Sequence, residues 1–201
     1  MPQFNHLKRE VSLKVVYYGP GLSGKTTNLV QLHGRYPEAQ RGRLVKLDTE
    51  QERTLFFDYF PVSLGTVRGF AVRVDFFTVP GQSYYNVTRR TVLAGADGVV
   101  FVADSDPRRE EANIIAHENF MQNLQLIGIN VDTLPLVYQW NKRDSERALS
   151  VKLLEAQLNT RKAPSLEAVA VRGEGVWETE RQILALTLKS LRKSAGEPEA
   201  A

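Results

Sequence analysis

The 201-residue chain contains no cysteine. Disulfides, thiolate zinc sites, cysteine nucleophiles, prenylation and palmitoylation are therefore excluded together. Position 2 is Pro2 and not the glycine that myristoylation requires, which excludes that anchor as well. Long apolar runs are also missing. Val99-Val100-Phe101-Val102-Ala103 is the longest inside the domain, far below the roughly 18 residues of a bilayer span. Met1-Pro2-Gln3-Phe4-Asn5-His6 lacks the basic-then-apolar order of a signal peptide, so a cytoplasmic protein without a direct membrane anchor is expected. Charge of one sign is scarce too: 26 Lys and Arg against 23 Asp and Glu leave +3. The basic residues are scattered, with no block of five like charges, and read as solvated surface. No nucleic-acid partner is expected.

What is present is a globular balance, 42% hydrophobic and 24% charged, in a length suited to one domain. Strand-like and helix-like stretches alternate. Residues 13–18 read as a strand ending in a Gly/Pro turn, and residues 25–36 as the helix that follows. From 37 to 61 the pattern loosens, although Phe56, Phe57 and Phe60 are expected in the core. Residues 64–68 and 70–78, turning at Gly69, read as a hairpin with Val72, Val74 and Phe76 on one face. Residues 99–103 and 136–140 are short apolar runs suited to central parallel strands. Helices are expected over 108–127, behind Pro107, and over 151–158 and 176–192, with a last strand at 166–170. Ile183, Leu184, Leu188 and Leu191 form the apolar side of the closing helix. The expected fold is α/β, a three-layer sandwich around a mostly parallel six-stranded sheet with one antiparallel strand. The domain is expected over 1–193, followed by a flexible tail over 194–201.

Between the first strand and first helix stands Gly19-Pro20-Gly21-Leu22-Ser23-Gly24-Lys25-Thr26, which fits G-x-x-x-x-G-K-[ST]. That spacing makes a tight loop whose successive N–H groups surround a phosphate, while the helix behind it, with Lys25, Thr26 and Thr27 in its first turn, adds its positive end. Lys25 then reaches the outer phosphates, and the Thr26 hydroxyl is placed to ligate Mg²⁺. A Gly-rich turn with an incidental lysine is the bland alternative, and the strand–helix context argues against it.

Asn141-Lys142-Arg143-Asp144 directly follows the strand ending at Trp140. A carboxylate accepts two hydrogen bonds from the N1–H and 2-amino group of guanine, whereas adenine offers no matching pair. Asp144 is the candidate for that role. Asn141 would brace the loop, and the Lys142 stem would cover the base. Alone, N-K-x-D is more often a cap or turn; its position at the carboxyl end of a strand gives it weight. Val169-Ala170-Val171, after the last strand, would offer the Ala170 N–H to the guanine oxygen.

These motifs, with the chain's size and element order, resemble the Ras-like small GTPases, P-loop NTPases with a G domain. Tyr17-Tyr18-Gly19-Pro20-Gly21-Leu22-Ser23-Gly24-Lys25-Thr26-Thr27-Asn28, Glu52-Arg53-Thr54-Leu55-Phe56-Phe57-Asp58 and Thr78-Val79-Pro80-Gly81-Gln82 are similar to the bacterial MglA (mutual gliding) branch. Residues 98–105 and 141–144 extend the likeness, which reaches to about Arg192.

The resemblance implies that Thr54 ligates Mg²⁺ and senses the γ-phosphate, and that Gln82 orients the attacking water. It implies that Arg53 is an arginine finger carried in cis, and that GTP holds the two switch loops through Thr54 and Gly81. The residues alone also allow Arg53 as a surface ion-pair partner and Gln82 as a turn residue. Where Ras-like chains commonly have Asp-x-x-Gly, this one has Thr78-Val79-Pro80-Gly81, so the usual carboxylate near Mg²⁺ is missing. Asp58 is the substitute, acting through water if its segment folds inward. Val169-Ala170-Val171 likewise replaces a Ser-Ala-Lys loop.

The implied activity is slow GTP hydrolysis to GDP and phosphate, in a switch controlling cell polarity or gliding and twitching motility. The implied partners are a homodimeric roadblock-type (MglB-like) activating protein and polarity or motility effectors, met near Phe57, Tyr84 and Tyr85. The protein is expected to be monomeric alone and recruited to a cell pole through partners. A non-hydrolysing guanine-nucleotide-dependent scaffold is the first alternative. A P-loop small-molecule kinase is the second, and it lacks support from N-K-x-D.

Overall fold

The computed structural model describes residues 3–5, 9–47, 57–67, 69–81 and 86–194. Its centre is β2 (Glu10–Tyr18), which pairs in parallel with β5 (Phe70–Thr78) on one side and β6 (Gly98–Asp104) on the other. Beyond β6 lie β7 (Leu136–Asn141) and β8 (Ser165–Glu167), both parallel. Beyond β5 lie β4 (Phe57–Val67) and β3 (Val45–Leu47), each antiparallel to its neighbour. The order is β3-β4-β5-β2-β6-β7-β8. The six expected strands are present, with β4 the antiparallel one. Two three-residue strands widen the sheet to eight: β3 at the edge, and β1 (Gln3–Asn5) beside β2. β6 begins pairing only at Val15, so the β2 edge at Glu10–Ser12 is open to β1.

Helices cover both faces. α1 (Lys25–Arg35) and α5 (Val176–Ser194) lie on one; α2 (Asn86–Leu93), α3 (Glu110–Leu126) and α4 (Val151–Leu158) on the other. Side-chain alternation along a strand separates the two cores. Val11, Leu13, Val15 and Tyr17 of β2 join Val100 and Val102 of β6 beneath α1 and α5. Val16 and Tyr18 join Val99, Phe101 and Ala103 beneath α2, α3 and α4. Strands buried on both faces need no polar alternation, which is why β6 and β7 are largely apolar with every residue buried, the polar Gln139 of β7 being paired with Asn28 and Thr179.

Several boundaries differ from expectation. β4 starts at Phe57 rather than 64, because Tyr59 to Ser63 pair residue by residue with Phe77 to Arg73. Phe60 is fully buried and Phe57 is half-buried against the α3-side core; Phe56 lies outside the described residues. The strand expected over 166–170 ends at Glu167, and Ala170–Arg172 form a 3-10 turn. Pro107 opens a second 3-10 turn, Pro107–Arg109, capped by Asp106 accepting from the Arg108 N–H at 2.9 Å. α2 has no counterpart in the sequence expectation. α5 includes Ser194, which the expectation gave to the tail; residues 195–201 lie outside the described residues. No helix among the described residues is long and apolar enough to cross a membrane.

One buried acid sits in the α1–α5 layer. Glu180 is fully buried, with the Tyr36 hydroxyl donating to Oε1 and no partner for Oε2 among the described residues. Burial pushes its carboxyl up to about 7, against the opposing pulls of the Tyr36 bond and the Arg35 charge. Unfolded, the group ionises near 4.5; folded, it keeps its proton to about 7. Its contribution is therefore fully present below 4.5 and is lost as pH rises to about 7, then level above. Glu180→Gln removes the titration. In urea melts from pH 5 to 8, the variant should gain stability relative to wild type as pH rises, by on the order of 3 kcal/mol across the window.

Candidate functional site

The sheet order reverses at β2, whose parallel neighbours β5 and β6 lie on opposite sides of it, and crevices at such points hold ligands. The Gly19–Thr26 loop leaves β2 there. One cleft of about 440 Å³ is lined by Leu22, Gly24, Lys25, Thr26, Thr27, Lys46, Phe57, Asp58, Thr78 and the Val79–Gly81 turn. The expected phosphate-loop residues and Gly81 are thus brought together. Lys25 is buried and its Nζ donates to the Gly19 and Pro20 carbonyls at 3.0 and 2.6 Å, curling the loop around itself. Ser23 is buried with its hydroxyl unpartnered among the described residues. Leu22 stands 83% exposed in the left-handed region at φ 65°.

Two close approaches fix the loop. Gly24, at φ 100°, lies against the Asn141 amide, so that a Cβ would fall on Asn141 Nδ2. Gly21 and Gly81 lie back to back, and a Cβ on Gly81 would fall on the Gly21 Cα.

Charge in the cleft is mainly positive. Burial and the cations Arg89 and Arg109 push Lys25 down to about 7, with Asp58 the opposing acid. Arg89, from α2, is buried and donates to the Pro80 and Gly81 carbonyls at 2.9 and 2.7 Å. Arg109 donates to the Gly21 carbonyl at 2.6 Å. Three cations held on backbone carbonyls at and behind the phosphate loop give this end of the sheet a positive field suited to an anion.

Asp58 is the one acid in the cleft lining among the described residues, and it occupies a definite place. It sits opposite Thr78 where β4 meets β5: its N–H donates to Thr78 Oγ1 at 2.8 Å, and its Oδ2 accepts from that hydroxyl at 3.0 Å. The Thr26 hydroxyl donates to the same oxygen at 2.5 Å. The missing carboxylate of the Thr78-Val79-Pro80-Gly81 turn is thus matched by one from the neighbouring strand. The described residues hold no group of three or more His, Cys, Asp or Glu able to bind a metal. Two hydroxyls and one carboxylate are instead the hard-oxygen set that suits Mg²⁺ shared with a phosphate.

The second loop ties to the first through Asn141. Its Nδ2 donates to the Ser23 carbonyl at 2.7 Å, and its Oδ1 accepts from the Ala170 N–H at 2.9 Å. The Ala170 N–H expected to face a ligand is therefore directed to Asn141. Lys142, at φ 65°, anchors its ammonium on the fully buried Asp104 at 2.6 Å, which stretches its stem across the rim. Asp144 has Arg172 3.7 Å away. Val169 is buried and Val171 exposed, with the Val171 carbonyl accepting from Gln31. Arg53, Thr54, Gln82, Tyr84 and Tyr85 lie outside the described residues.

Sequence reasoning missed Arg89, Arg109, Asp104 and the role of Thr78. Asp104 carried a usable signal, as the one acid closing a strand that reads Gly98-Val99-Val100-Phe101-Val102-Ala103-Asp104. The arginines carried none.

A phosphate loop at the reversal of this sheet, with Asn141-Lys142-Arg143-Asp144 on the adjoining rim, defines a Ras-like G domain. The chain belongs to the family of the mutual gliding-motility protein MglA. It is 46% identical over 193 residues to that protein of Myxococcus xanthus (strain DK1622), covering 96% of this chain and 99% of the relative. No protein-family model matches the chain.

Asn141→Ala would leave the buried Ser23 carbonyl and Ala170 N–H without their partner. A loss of about 2–4 kcal/mol is expected in urea unfolding of the nucleotide-free protein, larger than for a surface asparagine such as Asn130.

Proposed function

We propose that the chain is a GTPase switch: it binds GTP, hydrolyses it to GDP and phosphate, and changes its binding surface with the nucleotide. The observation that supports this best is the Asn141 bridge. It joins the phosphate loop to the Lys142–Asp144 rim and the Ala170 turn, so that one ligand spans phosphates and base. Asp144 accepts from the two guanine donors while Arg172 holds it in place. The anchored Lys142 stem covers the base, and a guanine oxygen shares the Ala170 hydrogen with Asn141. The N–H groups at Gly24, Lys25, Thr26 and Thr27 bind the inner phosphates, with Lys25 reaching outward. Thr26, with Thr54 and with Asp58 through water, would hold Mg²⁺, which supplies charge compensation on the transferring phosphoryl group.

By the sequence resemblance, Arg53 is a finger in cis and Gln82 orients the water. A roadblock-type homodimer then has only to place these loops. The relative's name concerns gliding motility; a polarity or motility role, in a monomer recruited from the cytoplasm by partners, is the corresponding reading here.

Competition against a fluorescent guanine nucleotide tests base choice. GTP should displace it at least tenfold better than ATP, since adenine leaves the Asp144 carboxylate partly unsatisfied at about 1–3 kcal/mol. Asp144→Asn should shift preference towards xanthosine nucleotides, and equal displacement by ATP and GTP would sink the reading.

Arg53→Ala and Gln82→Leu separate hydrolysis from binding. Both should bind GTP within a few-fold of wild type, yet lose on the order of 10³-fold in partner-stimulated single-turnover hydrolysis. Near-normal stimulated turnover by Arg53→Ala would overturn the cis finger and return it to the partner.

A further inference from the structure

Arg109 reaches the phosphate loop from 88 residues away, and the roles assigned above do not use it. It closes the Pro107–Arg109 turn ahead of α3. Its neighbour Arg108 is engaged at the surface, where its guanidinium meets Asp106 at 2.5 Å. Arg109 turns inward instead. Nη2 donates to the Gly21 carbonyl at 2.6 Å, while Nε is buried with no acceptor among the described residues. It forms no ion pair among them. A guanidinium held this way, next to Lys25, is stabilised by an anion on the other side of the loop.

The hydrogen bond also sets a direction. All described peptides are trans, and in a trans peptide the carbonyl and the following N–H point opposite ways. Arg109 does not line the cleft, whereas Leu22 does. With the Gly21 oxygen drawn towards Arg109, the N–H of the same peptide points the opposite way, at Leu22, a residue of the cleft lining. The end of the cleft is fixed as well. Asn141 grips Ser23 and abuts Gly24, on the side of the base rim. Gly21 lies at the other end, against Gly81, which itself abuts Lys25 Nζ, and that ammonium donates to the Pro20 carbonyl one residue before Gly21; the outer phosphates fall there.

We propose that Arg109 is a positioning residue for the outermost phosphate: by holding the Gly21 carbonyl it aims the Leu22 N–H at the phosphate end, and it thereby sets preference for a nucleoside triphosphate over a diphosphate. This rests on the guanine-nucleotide reading above. The inner phosphates are served by Gly24 to Thr27, none of which Arg109 touches. Arg109 therefore acts on the difference between the two ligands and little on what they share.

The test is the ratio of GTP to GDP affinity in the full-length chain, by displacement of a fluorescent GDP, for wild type, Arg109→Ala and Arg109→Lys. Arg109→Ala should bind GDP within about threefold of wild type and lose on the order of tenfold for GTP, the scale of one charge-assisted hydrogen bond. Arg109→Lys keeps a cation and a donor, and should recover most of that ratio. A role in folding alone would instead weaken both nucleotides together and lower Tm. Equal losses for GTP and GDP, an unchanged ratio in Arg109→Ala, or no rescue by Arg109→Lys would each overturn the proposal while leaving the GTPase reading standing. Wild-type protein that binds neither nucleotide would overturn both.

Discussion

The site depends on a single side-chain amide. A phosphate loop turns its N–H groups inward, which forces some carbonyls outward into a crowded interior where each needs a donor. Asn141 supplies one of these, to Ser23, and passes its own oxygen to the Ala170 N–H. Asparagine suits the position because it donates and accepts at once; aspartate would set a carboxylate against the Ser23 carbonyl, and leucine would satisfy neither group. Gly24 completes the contact, since only the absence of a Cβ lets the loop close on the amide. Three loops from the ends of β2, β7 and β8 are thus tied together at one residue, which links the base end to the phosphate end.

The opposite end of the cleft is held differently. There the Pro80 and Gly81 carbonyls rest on Arg89, which is held in turn by Asn119 Oδ1 at 2.9 Å. Tyr18 donates to the same Asn119 oxygen at 2.6 Å, and Asn123 donates to the Tyr18 hydroxyl at 3.0 Å. This is a polar network inside an otherwise apolar wall, in which Asn123 Oδ1 alone is buried without a partner among the described residues. Asp58 adds a second restraint by linking β4 to Thr26 across the cleft. Moving the Gly81 turn away from Gly21 costs the Arg89 bonds unless a ligand atom replaces them. A phosphate oxygen is the kind of acceptor that makes such an exchange nearly even.

Much of this was legible in the sequence because it is local. A strand, a glycine-spaced loop and a helix are contiguous in residues 13–36, and N-K-x-D sits directly behind its strand. The role of Asn141 as a brace followed from its position alone. What was not legible depends on pairing over long distances. Asp58 faces Thr26 only because β4 runs back to Phe57 and lies in register with β5, and the loosened pattern over 37–61 concealed that strand. The last strand read too long because Ala168 and Val169 are as apolar as strand residues, whereas the chain leaves the sheet early to reach Asn141. Arg108 and Arg109 are adjacent, identical in type and opposite in fate. No spacing rule separates them.

That pair also shows why charge counts say little about a site of this kind. The chain's excess of three positive charges is small and dispersed, yet Lys25 in the cleft has the charges of Arg89 and Arg109 acting on it from behind. Each is placed by backbone carbonyls, and among the described residues none forms an ion pair of the kind Arg108 makes with Asp106. Carbonyl dipoles orient a guanidinium without cancelling its charge, and a field assembled from them remains available to an anion. Lys25 shows the cost, since burial among like charges lowers its proton affinity. The site is therefore poised: its cations stabilise a phosphate group, and the phosphate in turn relieves their mutual repulsion.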